Sequence, residues 1–105
     1  MEQICVVTTV VDARPVADAL AGAAVDARLA ACAQVGGQVD STYWWRAAVE
    51  TNAEWSVQFK TTEDRVSALV DQIRAGHPYE VPEILVARVE SDPPYAAWVH
   101  EQTRP

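Results

Sequence analysis

The stretch HPYEVPEI, His77 to Ile84, places one imidazole, one phenol and two carboxylates within eight residues punctuated by Pro78 and Pro82. Imidazole nitrogen and carboxylate oxygen are the donor types that suit copper(II) or zinc, and the Irving–Williams trend favours copper(II). The prolines fix their own φ and bias His77 and Val81 toward extended conformations, which excludes a helix. With about three residues per polyproline turn, His77, Glu80 and Glu83 line one edge as a mixed ligand set. With the strand period of two, Glu83 joins Tyr79 and Val81 while Glu80 points away. A third role needs no ligand: the prolines shape a rigid connection, His77 and Glu80 make hydrogen bonds, and Tyr79 packs against a neighbouring subunit.

Cys5 and Cys32 are the only cysteines, without CxxC spacing, and are expected to be reduced. A thiolate from Cys32 would favour the softer copper(I). An enzymatic alternative makes Cys32 a nucleophile and His77 its base, with Glu80 or Glu83 orienting the imidazole. The sequence has no Gly-rich phosphate loop, no GxSxG and no HExxH, so no catalytic turnover is expected. Lys60 beside Thr61 and Thr62, and His100 near the end of the last helix, read as solvated residues.

A chain of 105 residues, 50% hydrophobic, fits a single domain over residues 1–105. Its net charge of −7 repels phosphate backbones and attracts cations, which argues against nucleic acid as a partner. The opening MEQICVVTTVV has no basic region, and its apolar run ends by Asp12. Neither a signal peptide nor a membrane span is expected, and the cytoplasm is the expected compartment.

The elements that must position these residues follow from periodicity. Ile4 to Val11 is β-branched and reads as a buried strand. Asp12 is placed to cap a helix with Pro15 in its first turn and a stripe of Val16, Leu20, Ala23, Ala24 and Ala27. LAACAQV from Leu29 reads as a second strand, bent at Gly36-Gly37 and resumed through VDSTYWW. A turn is expected around Glu50 to Asn52, then a strand alternating Trp55, Val57 and Phe59 with Ser56, Gln58 and Lys60. Thr61 to Asp64 offers a capping box for a helix carrying Val66, Leu69, Val70 and Ile73, stopped by Gly76 and Pro78. Ile84 to Val89 is a fourth strand, and Asp92-Pro93-Pro94 opens a short helix with Tyr95, Trp98 and Val99 on one face. The order predicts an α+β, ferredoxin-like βαββαβ arrangement with an extra C-terminal helix: two helices on one face of an antiparallel sheet, the other face uncovered.

Trp44 and Trp45 are adjacent in an extended segment, so their rings point to opposite faces and only one can reach the helix-covered core. Burying an aromatic of roughly 200 Å² stabilises by up to about 5 kcal/mol. A closed homo-oligomer shielding the second ring is therefore expected, with Trp44, Trp45 and Tyr79 at the interface.

LAACAQV at 29–35, STYWW at 41–45, FKT at 59–61 and HPYEVPEI at 77–84 together resemble the CutA family of divalent-cation tolerance proteins. The resemblance implies a PII-like homotrimer in which long hairpin strands bridge subunits. It also implies a role in tolerance to copper and other divalent cations, with no required cofactor; His77 and Cys32 match motif positions suspected of metal contact, and Glu80 and Glu83 join them as candidate metal ligands from the polyproline spacing. Ala33-Gln34 stands where the family usually has valine and asparagine, and Ala47 where a hairpin glycine is common. The PII-like architecture suggests an alternative, a small-ligand sensor or trimeric adaptor binding at subunit clefts.

Overall fold

A computed structural model describes residues 1–105. Its elements are β1 (Glu2–Val11), α1 (Arg14–Asp26), β2 (Cys32–Trp45), β3 (Ala48–Thr61), a 3₁₀ turn (Glu63–Arg65), α2 (Val66–Gly76), β4 (Ile84–Ser91) and α3 (Pro93–Gln102). The four strands form one antiparallel sheet in the order β2-β3-β1-β4. This is the expected ferredoxin-like arrangement with an added helix.

Alternation along β1 sorts the sheet's two faces. Cys5, Val7, Thr9 and Val11 are buried toward α1 and α2. There Val7, Val11, Val57 and Phe59 meet Ala17, Leu20 and Ala24 of α1 and Leu69 and Ile73 of α2. The alanines of α1 let the helix lie close to the strands, as its stripe of small residues predicts.

The opposite face, carrying Ile4, Val6, Thr8 and Val10, is not wholly bare. The helix α3 lies over one end of it, packing Ala96 and Val99 on Ile4 in a second, smaller core. Val99 turns inward as expected, while Tyr95 and Trp98 stay partly exposed with ring centroids 5.7 Å apart.

The hairpin differs from the sequence expectation. Glu50 to Asn52 are strand residues, and the chain reverses at Arg46 and Ala47, both left-handed with φ of 49° and 65°. Polar composition pointed to the wrong place because an exposed strand can be as polar as a turn. β3 pairs with β1 only from Trp55 to Thr61, so the rest of the hairpin projects as an arm and the molecule extends to 45 Å. Neither tryptophan reaches the core: Trp44 is 74% exposed and Trp45 36%, on opposite faces of this arm.

Smaller departures concern the element ends. β2 begins at Cys32, because Leu29 follows a left-handed Arg28 that closes α1. Ala13, not Asp12, is the N-cap of α1. Thr62 directs its hydroxyl to Asp64 Oδ1 at 2.6 Å, so no capping box forms and a 3₁₀ turn precedes α2.

Candidate functional site

The chain leaves α2 at Gly76 and crosses the end of β1 before entering β4. Between them, residues 77–83 form an irregular bend, neither a strand nor a regular polyproline edge. His77 caps α2 in extended conformation (φ −83°, ψ 134°). The Tyr79 amide donates to its Nδ1 at 3.1 Å, which places the ring proton on Nε2. From there Nε2 donates to the Val10 carbonyl and Thr9 Oγ1, each at 3.0 Å. The Thr9 hydroxyl proton goes to the Glu83 carbonyl at 2.7 Å. His77 thus staples the bend to β1 with both nitrogens engaged.

Tyr79, stacked edgewise on His77 at 4.8 Å, reaches over the sheet and donates its hydroxyl to Glu54 Oε2 at 2.5 Å. Burial first, and then the Glu54 hydrogen bond and charge, push the phenol well above its ordinary pKa. Glu54 is only 6% exposed. Its other carboxylate oxygen receives no hydrogen bond, and no lysine or arginine pairs with it.

Glu54 is in phase with Ser56, Gln58 and Lys60, on the sheet face away from α1 and α2. There the bend and the arm enclose a groove of about 720 Å³ whose walls include Tyr43, Trp45, Glu50, Glu54, Tyr79 and Glu83. Glu80 also lines it, and pairs with Arg46 at 3.0 Å. The Arg46 guanidinium lies 5.3 Å from the Trp45 ring centroid.

The structure therefore brings Tyr79, Glu80 and Glu83 to one groove with Trp44 and Trp45, and leaves the other two candidates apart. His77 faces Thr9 on the helix side, whereas Cys32 pairs in register with Lys60 on the opposite side, near Tyr95 of α3. Burial, with the Cys32 thiol next, raises the Tyr95 phenol. Cys32 and His77 form no nucleophile–base pair, and no three His, Cys, Asp or Glu side chains in one copy converge on a metal position. The four candidate ligands do not fit a resident metal within a single chain. Cys5 is buried, and burial raises its thiol pKa, which makes it a poor nucleophile.

Sequence reasoning passed over Glu54, Glu50, Tyr43 and Arg46. Glu54's phase with the polar side of β3 was readable, but its burial comes from a segment 25 residues away.

The model of the CutA1 divalent ion tolerance protein family matches residues 4–102. Protein CutA of Mus musculus is 42% identical over 89 residues, covering 84% of this chain and 50% of that protein. Divalent-cation tolerance protein CutA of Thermus thermophilus is 35% identical over 104 residues, covering 98% of this chain and 99% of that one. The chain spans about half the length of the first animal and plant relatives it matches. The solved structure of the divalent cation tolerance protein Cut A1 from Thermus thermophilus has a TM-score of 0.91 at 34% identity, covering 98% of this chain and 100% of that one. CutA1 from Oryza sativa has a TM-score of 0.91 at 33% identity, covering 97% and 94%.

Proposed function

This chain belongs to the CutA1 divalent ion tolerance family, and from that premise we propose that it is a cytoplasmic homotrimer that meets copper or a similar divalent cation transiently, without catalytic turnover. The observation that carries the assembly is the sheet face left open beside α3. Leu85 is 58% exposed there, and Trp44 stands free on the arm. Tyr79 spends its hydroxyl within its own chain, so the shielding falls chiefly to the two indoles and this face.

The cation is treated as a passing ligand because one copy does not gather His77, Cys32, Glu80 and Glu83. Both ring nitrogens of His77 are engaged within the chain, so a metal held there displaces either the Tyr79 amide from Nδ1 or the Val10 and Thr9 contacts from Nε2, which weakens the bend as it binds. Net charge of −7 per chain concentrates cations without any dedicated site, so weak binding at low salt is not diagnostic. The test is calorimetric titration of copper(II) at physiological salt. Loss of affinity in His77→Ala or Cys32→Ala supports a site at these residues; unchanged affinity in both removes it.

A further inference from the structure

The polar groups of HPYEVPEI are largely spent on hydrogen bonds within the chain, and those bonds have a mechanical consequence. We infer that the 77–83 bend is a brace that fixes the angle at which the β2–β3 arm leaves the sheet, with Tyr79 as its positioning residue. A preset angle prepares the arm to meet a second copy of this chain. That consequence rests on the trimer proposed above; the brace itself does not.

The arm has a hinge at its root. The last β1–β3 pair is Val11–Trp55, and beyond it residues 48–54 pair only with β2. The β2–β3 register shifts between Val35 and Gln38, so Gly36 and Gly37 form a bulge beside that last pair. A bulge bends the strand that carries it, and a two-stranded ribbon is marginal by itself. Gly36 admits a close approach, since a Cβ there would meet Ser56 Oγ at 2.8 Å, whereas Gly37 has open space around it. Gly37 therefore contributes freedom at the bulge and no contact.

The bend ties this ribbon back to the sheet at its root and at its tip. Its footing is β1, where His77 Nε2 donates to the Val10 carbonyl and Thr9 Oγ1, and the Thr9 hydroxyl donates to the Glu83 carbonyl. Pro78 and Pro82 stiffen the span between. From that footing the Tyr79 hydroxyl holds Glu54, the arm residue next to Trp55, and Glu80 holds Arg46 at the turn. The Tyr79–Glu54 bond carries the larger share, because Glu54 is buried while Arg46 and Glu80 are exposed and their attraction is screened by salt. An arm held this way enters an interface already oriented, which reduces the ordering cost of association.

The test reads arm orientation from amide residual dipolar couplings of single chains, obtained with Leu85→Asp if wild type assembles. Amides of residues 38–54 are expected to share one alignment with those of β1. Tyr79→Phe, which keeps the ring, is expected to scale down the arm's couplings and leave those of β1 unchanged. Adding Gly37→Ala is expected to recover part of the loss. Should Tyr79→Phe fail to fold, Arg46→Ala at the exposed end of the brace is expected to give a smaller loss of the same kind. An arm that keeps its full couplings in these variants overturns the brace. A loss spread equally over β1 also overturns it, by reducing the effect to general loosening, and a loss that Gly37→Ala does not touch overturns the hinge. In chains that assemble, sedimentation equilibrium is expected to show Tyr79→Phe dissociating about tenfold more readily and Gly37→Ala recovering about two- to fivefold of that. Unbraced arms that associate as tightly as wild type overturn the preorganisation. A wild type that stays single removes the trimer, and the couplings still decide the brace.

Discussion

Tyr79 gives its hydroxyl proton to Glu54 at 2.5 Å, and this contact makes stability depend on alkaline pH. Burial, followed by the bond and charge of Glu54, favours the neutral phenol and raises its pKa above the ordinary value of about 10. The unfolded chain then ionises first, so the stabilisation is complete below about pH 10 and is lost as pH rises beyond it. The urea midpoint of the wild type is expected to fall above that pH, and that of Tyr79→Phe to fall less steeply. At neutral pH Tyr79→Phe also leaves Glu54 without a donor, at a cost of about 1 to 3 kcal/mol. Parallel pH profiles would show that Tyr79 does not couple to folding. The sequence made HPYEVPEI conspicuous because its residue types are reactive. It did not show that His77 turns inward to Thr9 and Val10, since those partners lie 68 and 67 residues away. Glu80 and Glu83 were visible as acids, but not as walls of a groove whose buried member, Glu54, comes from another strand.

The elements themselves were largely legible, because periodicity is local: β1, the core half of β3, α2 and α3 lie where alternation or helical spacing puts them. The hairpin turn was not, because Arg46 and Ala47 lack the Asn-Gly or Asp-Gly signature of a two-residue turn. Both nevertheless take positive φ, where a side chain costs about 1 to 2 kcal/mol. The strands on either side hold them there through a continuous register from Gln38–Trp55 to Trp45–Ala48. Ala47→Gly removes that strain and loses part of the gain to greater freedom in the unfolded chain. A net stabilisation of about 0.5 to 1 kcal/mol is expected, read as a higher urea midpoint with unchanged slope. Arg46→Gly relieves the same kind of strain but also removes the contacts to Trp45 and Glu80, so it is expected to gain less. If Ala47→Gly leaves the midpoint unmoved or lowers it, the turn is not strained.

For the whole molecule, the sheet's second face brings opposing forces together. Leu85, Ala87 and Val89 of β4 lie beside Val6 and Thr8 of β1 on the side away from α1 and α2, and α3 covers only the Ile4 end. An open apolar surface of this kind favours association, while a charge of −7 on each copy opposes it. The two forces respond differently to salt. Raising the ionic strength to about 0.5 M screens the repulsion and leaves hydrophobic contact intact, so the proposed trimer is expected to tighten; assembly driven by ion pairs would loosen. Sedimentation equilibrium at micromolar protein should therefore give three times the 11.5 kDa chain mass, with weaker dissociation at the higher salt. Leu85→Asp puts a carboxylate on a position already 58% exposed in one copy, so it should leave the isolated fold intact while shifting the population toward single chains. A wild type that sediments as a single chain at micromolar concentration would mean that both indoles and this face stay wet, and would remove the trimer together with any cation role that depends on it.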